Sequence, residues 1–246
     1  FMSVGAFSGI VMAMWLSKGV GLANETVCLL LAILTGGVAA GIAGVLIGIP
    51  VLRLRGDYLA IVTLAFGEII RNLINCVYIN LDGGALYFGF NNPNLPGKPV
   101  LAGPKGTVGV DKIATFTMGF VLILFTLFVV LNLMNSRSGR AIMATRDSRI
   151  AAESVGINAT KYKMMAFVTS AVLAGMAGAL YGLNYSTVAA AKFKFDTSIL
   201  VLVFVVLGGI GNIRGSIIAA TLLTILPEML RAFSDYRMLV YSLMLI

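Results

Sequence analysis

The stretch "TVCLLLAILTGGVAAGIAGVLIGI", residues 26–49, contains no Asp, Glu, Lys or Arg, and as a helix it is long enough to cross a bilayer core of about 30 Å. Its reading decides the fold. Similar runs recur along the 246 residues, of which 59% are hydrophobic and 11% charged, with a mean hydropathy of +0.98. The chain therefore reads as an all-α, polytopic helical membrane protein and not as a soluble globule. About eight hydrophobic segments are expected, at 1–17, 26–49, 58–79, 114–135, 163–187, 198–212, 214–230 and 238–246. No soluble domain fits between them, so residues 1–246 read as one transmembrane domain. Phe1 already lies inside an apolar run and Ile246 closes another, so the sequence reads as a piece of a longer chain at both ends, with no signal peptide in view.

The net charge is +8, but the basic residues sit in short loops beside apolar runs, and no Lys/Arg tract of the nucleic-acid type occurs. Membrane lipid is the expected surrounding, with no nucleic-acid partner. Cys28 and Cys76 are the only cysteines and histidine is absent. That composition excludes a disulfide scaffold, a Cys/His zinc site and a Ser-His or Cys-His nucleophile, so neither catalytic nor metal-ligating residues are expected. If the segments alternate, Arg53, Arg55, Arg137, Arg140, Arg146, Arg149, Lys161, Lys163 and Arg214 fall on one side. Short loops and helix ends weigh most in the positive-inside rule, which makes that side cytoplasmic. The polar stretch 136–162 then faces the cytoplasm, and the Gly/Pro/Asn-rich loop 80–113 is extracytoplasmic.

Small residues recur every four positions as Gly36, Ala40, Gly44 and Gly48, and again as Ala174, Gly178 and Gly182 beside Ala171, Gly175 and Ala179. Such ladders allow close helix approach in lipid. A weaker echo links "GGVAAGIAGVLIGIPVLRLRGDY" at 36–58 with "GGIGNIRGSIIAATLLTILPEMLRAFSDY" at 208–236. By the segment count these cross in opposite directions, as inverted-topology repeats in transporters do.

Within "GDYLAIVTLAFGEIIRNLIN", Asp57 and Tyr58 stand at a membrane edge, while Glu68 and Arg71 lie deep and three residues apart on one helix face. Thr63 is read as lying on roughly that face. Ionisable groups at such depth face a protein interior or a water-filled path, so these five residues are the candidate translocation path, with an internal ion pair that fixes helix position as the plainer alternative. Between Gly139 and Gly156 the spacing predicts a short amphipathic helix, with Met143, Ala144, Ile150, Ala151 and Val155 on one side and Arg146, Arg149 and Glu153 on another. Gly156 would end that helix as its C′ residue. Amphipathicity alone leaves open a helix lying at the lipid interface.

"FMSVGAF", "RLRGDYLAIVTLAFGEIIRNL", "NSRSGRAIMATRDSRIAAESVGINATKYKMMAF", "AGMAGALY" and "VFVVLGGIGNIRGSIIAA", followed by "LPEMLRAFSDYRML", together resemble the permease subunits of ABC importers for branched-chain amino acids, of the LivM type. The likeness covers nearly all of the chain except loop 80–113. It implies a bacterial plasma-membrane importer of Leu, Ile or Val. Such an importer joins this chain to a LivH-like second permease, two cytoplasmic ATP-binding subunits and an extracytoplasmic substrate-binding protein. It also implies that the polar helix docks in an ATPase groove, with Arg140, Arg146, Arg149, Ala151, Ala152, Glu153 and Gly156 as coupling residues, since "AAESVG" resembles the cytoplasmic loop of such permeases. The order of its first three residues departs from the family's Glu-Ala-Ala. Relatives that move urea or short amides share much of the pattern. No G-x-x-x-x-G-K-[ST] loop is present, because "GKP" at 97 and "GPKG" at 103 lack the spacing. ATP hydrolysis is thus assigned to partner chains, and no cofactor is expected in this one. An ion-gradient-driven secondary transporter and a passive channel are the readings from other classes.

Overall fold

The computed structural model describes residues 1–19, 24–52, 54, 57–82, 85–92, 96–107, 109–185 and 187–229. It divides into two compact units, Phe1–Phe193 and Lys194–Ile246. The first unit opens with α1 (Met2–Met14), continued by a π-helical turn at Trp15–Gly19, then α2 (Glu25–Val51) and α3 (Asp57–Cys76). Three strands follow, β1 (Val77–Asp82), β2 (Ala85–Phe90) and β3 (Lys98–Ala102), and then α4 (Phe116–Asn135), α5 (Arg137–Asp147), α6 (Arg149–Ser154) and α7 (Ala159–Asn184). The second unit contains α8 (Phe195–Leu207) and α9 (Ile213–Met229).

Three helices among the described residues are long and apolar enough to cross a membrane: α2, α4 and α7. The expected runs at 1–17, 198–212 and 214–230 appear as the shorter α1, α8 and α9, and the run at 58–79 as the amphipathic α3, which carries Glu68 and Arg71. Segment 238–246 lies outside the described residues.

The core of the first unit is the trio α1, α2 and α7, and its small-residue ladders explain the packing. A Cβ on Gly36 would lie 2.8 Å from both the Ala179 Cβ and the Gly5 carbonyl oxygen, and one on Gly44 would lie 2.8 Å from the Ala171 Cβ. Gly178 and Gly182 turn to the other side, against Met2 and Ile10 of α1. Apolar burial gives helices in lipid no net attraction, so contact rests on the van der Waals fit that missing side chains permit. The ladders therefore join helices of one chain. By contrast α4 has no buried residue, and Leu124 and Phe128 are exposed.

The expected all-α fold is corrected in the loop assigned to 80–113, which begins as a three-stranded antiparallel sheet in the order β2-β1-β3. Val77, Tyr78 and Ile79 are β-branched or aromatic, and Asp82 pairs with Ala85, so that only residues 83–84 separate the strands, the spacing of a two-residue hairpin. Asn80 pairs with Pro99, where the register shifts, as expected opposite a residue without an N–H to donate. Ile79, Leu81, Val100 and Leu101 are buried against the helices. Buried Thr107 completes the attachment: its N–H donates to the Val188 carbonyl at 3.0 Å, and its hydroxyl accepts from the Val188 N–H at 3.0 Å.

The two echoing stretches have different local structure. Gly36 and Gly37 lie in the middle of α2, whereas Gly208 ends α8 and Gly209 and Gly211 take positive φ of 90° and 91° in the turn before α9. Arg53, Arg231, Asp235 and Tyr236 fall outside the described residues.

Candidate functional site

The polar stretch between α4 and α7 is built by successive caps. Ser136 caps α5, accepting from the Gly139 N–H at 3.1 Å, and Asn158 caps α7, accepting from the Lys161 N–H at 3.1 Å. A third cap corrects the expected single helix from 139 to 156. Ser148 is extended, with φ −153° and ψ 113°, and its hydroxyl accepts from the Ala151 N–H at 3.3 Å, so the chain breaks into α5 and α6. An N-cap residue type inside a helical pattern is the signal for such a break. Ser148→Ala is expected to weaken α6 by about 1 kcal/mol, read as faster amide exchange at Ala151 and Ala152 with α7 unchanged.

The break splits the expected apolar stripe. Met143 and Ala144 stay half-buried on α5, while Ile150 and Val155 are 83% and 74% exposed on either side of α6. Ala152 is buried within the chain, whereas Ala151 and Ser154 are exposed. Arg149 Nε donates to Glu153 Oε1 at 2.7 Å across one turn, Arg146 pairs with Asp147 at 3.0 Å, and Arg140 Nη1 reaches the Asn135 carbonyl at 3.4 Å. Arg149 and Glu153 are thus brought together on α6, and Arg140 stands apart on α5.

Gly156 sits at C′ with φ +82°; its N–H donates to the Glu153 carbonyl at 3.1 Å and the Ile157 N–H donates to the Ala152 carbonyl at 3.0 Å. These two bonds are the Schellman pattern, which a left-handed residue permits. The result is a short pre-formed surface of two exposed aliphatic side chains and a clipped ion pair, held between two long apolar helices.

On α3, Arg71 Nη2 donates to Glu68 Oε1, the pairing expected three residues apart. Arg71 Nε is buried without a hydrogen-bond partner among the described residues. Tyr58 and Thr63 are exposed, and five residues of helix turn Thr63 about 140° from Glu68, so Thr63 does not share that face. Asp57 opens α3, and its side chain lies outside the described residues. No three His, Cys, Asp or Glu side chains cluster as a metal site among the described residues.

Residues 1–246 match the family described as "Branched-chain amino acid transport system / permease component". The high-affinity branched-chain amino acid transport system permease proteins LivM of Salmonella typhimurium and Escherichia coli are each 38% identical over 223 residues, covering 82% of this chain and 51% of the relative. A probable branched-chain amino acid transport permease protein LivM of Methanocaldococcus jannaschii is 27% identical over 189 residues, covering 76% of this chain and 52% of the relative. The chain spans about half the length of these relatives. No solved structure matches it.

Proposed function

Since the chain belongs to the branched-chain amino acid transport system permease component family, we propose that it forms the translocation path of an ATP-driven importer for Leu, Ile or Val in a bacterial plasma membrane. Its partners on this reading are a second permease, two cytoplasmic ATP-binding subunits and an extracytoplasmic substrate-binding protein. About eight spans would cross the membrane in the assembled permease, with 80–113 outside and 136–162 inside. ATP is bound and hydrolysed by the partners, and no cofactor is assigned to this chain.

The observation that carries the coupling role is the α6 surface. Exposed Ile150 and Val155 flank the Arg149–Glu153 pair, a combination of apolar anchors and charge that suits a groove in another protein. Ala152 is buried, Ser148 caps the start of α6 and the Gly156 turn closes its end, so α6 is held to its neighbours rather than trailing on a loose loop. Closure of the ATPases would displace α6 and, through it, α5 and α7. On the path side, Glu68 and Arg71 keep charge inside the membrane domain, where only a mutual pair or a polar path stabilises it. Glu68→Gln is expected to lower uptake by about tenfold, the scale of one lost charge-assisted hydrogen bond, with the complex still assembled. Normal uptake in that variant would leave the pair a purely structural one.

The deciding experiment reconstitutes the complete permease with its partners in proteoliposomes and measures uptake of leucine, isoleucine, valine, urea and acetamide, driven either by ATP or by an imposed ion gradient. ATP-dependent uptake of the three amino acids supports the proposal. Selective uptake of urea or acetamide would reassign the substrate, and gradient-driven uptake without ATP would overturn the importer reading.

A further inference from the structure

A groove of about 510 Å³ lies between the first half of α4 and the last half of α7. Ala177, Leu180, Tyr181 and Asn184 lie at spacings of three and four along α7, and Phe116, Phe120 and Ile123 at the same spacings along α4, so each helix presents one stripe to it. The polar members gather at one end. Thr115 precedes α4, while Tyr181 and Asn184 lie in the last turns of α7. Asn184 is exposed, so its amide is accessible from the groove. A positive charge stands close by: Tyr185 stacks 4.8 Å from the Tyr181 ring and carries the Lys192 ammonium 4.7 Å from its own centroid. The remaining length of the groove is aliphatic and aromatic.

The larger cavity, of about 690 Å³ among α1, α2, α3 and the sheet, has different chemistry. Its Ser8 and Thr35 hydroxyls donate to the Val4 and Ala32 carbonyls at 2.7 and 3.0 Å. In the α4–α7 groove Thr115 likewise donates to the Ile113 carbonyl at 3.5 Å, so the difference lies in the Asn184 amide and the nearby Lys192 ammonium. Nothing there holds a charged head. A small pocket that is mostly apolar with a few polar groups at one end suits an amphiphilic solute. We propose that the α4–α7 groove is where the permease itself holds its substrate, a neutral amino acid with a branched aliphatic side chain. The ammonium and carboxylate meet Asn184, Thr115 and the Tyr181 hydroxyl, and the side chain lies along Phe120, Ile123 and Leu180 over the small floor at Ala177. This assignment rests on the import reading above.

The test uses the complete importer in proteoliposomes with its binding protein, measuring uptake of leucine and valine beside ATP turnover. Ala177→Phe fills the floor and is expected to cut leucine uptake by about tenfold and valine uptake less, the scale on which a pocket distinguishes a methylene. Asn184→Leu is expected to lower uptake of both amino acids about tenfold by removing a head-group partner, with the complex still assembled. Should Ala177→Phe fail to assemble, Asn184→Ala at an exposed position gives the same reading. Wild-type uptake and an unchanged leucine-to-valine ratio in the assembled variants would overturn the groove assignment. If the wild-type complex moves acetamide instead of branched-chain amino acids, the import reading fails separately. Amide uptake then reads the same variants, and an unchanged rate overturns the groove.

Discussion

Gly175→Leu abolishes recovery of folded permease. A Cβ at Gly175 would run into the Ala40 Cβ and stand 2.6 Å from the Gly36 carbonyl oxygen, so α2 cannot keep its distance from α7 once any side chain is present. The obstacle includes backbone, which does not rotate away as a long side chain does. Gly175→Ala already overpacks this contact and is expected to cost about 1–3 kcal/mol. Leucine adds three further carbons with nowhere to go, because Gly5 of α1 closes on Gly175 from another direction. The measurement is the monodisperse fraction after detergent extraction together with its thermal unfolding midpoint. Gly67→Ala is the control, since a Cβ there meets nothing within 4 Å. It is expected to be neutral or stabilising by up to about 1 kcal/mol, because alanine is the better helix former. Equal losses at both positions would show that helix propensity, and not the α2–α7 contact, governs stability.

On the proposed coupling role of α6, Gly156→Val is expected to uncouple the permease from its ATPase partners without unfolding the membrane core. The left-handed φ of +82° at Gly156 costs an L-residue about 1–2 kcal/mol, and a β-branched one is poorly accommodated there. The Schellman bonds at the end of α6 are then lost, and Ile150 and Val155 no longer keep one fixed spacing. The core is spared, because nothing lies within 4 Å of a Cβ at Gly156. Reversing Arg149 and Glu153 together isolates the surface from the fold, since an exchanged pair still bridges one helical turn, although in the weaker orientation. Both variants are expected to insert in the membrane, to co-purify with at least about tenfold less ATPase, as loss of an interface anchor implies, and to lack substrate-stimulated hydrolysis. Wild-type values for both would remove the docking role and leave α6 as a helix lying on the lipid surface.

Parts of the site were legible because they depend on near neighbours in sequence. The Glu68–Arg71 pair follows from three-residue spacing, and the C′ glycine at 156 follows from a helix former run ending in Gly. Ser148 was legible in principle and overlooked, since periodicity across 139–156 outweighed a single capping residue. The sheet carried its own signal in β-branched and aromatic residues on either side of Asp82 and the Gly pair, which composition as a loop concealed. The α4–α7 groove had no sequence signal at all. Its two stripes are ordinary helix positions until the helices meet.

The sequence by itself determined that this chain is a helical membrane permease component, because a run such as 26–49 has no other stable solvent and because several long motifs match one family in order. It also determined that the segments of α2 and α7 would each admit a close helix neighbour, since small residues recur every four positions along both. Only the tertiary structure decided which faces meet. Gly36, Ala40 and Gly44 turn to α7, Gly178 and Gly182 turn to α1, and α4 buries no residue at all. A ladder of glycines states how near a neighbour can come, but the choice of neighbour is made by the fit of whole helix surfaces, which no single segment contains.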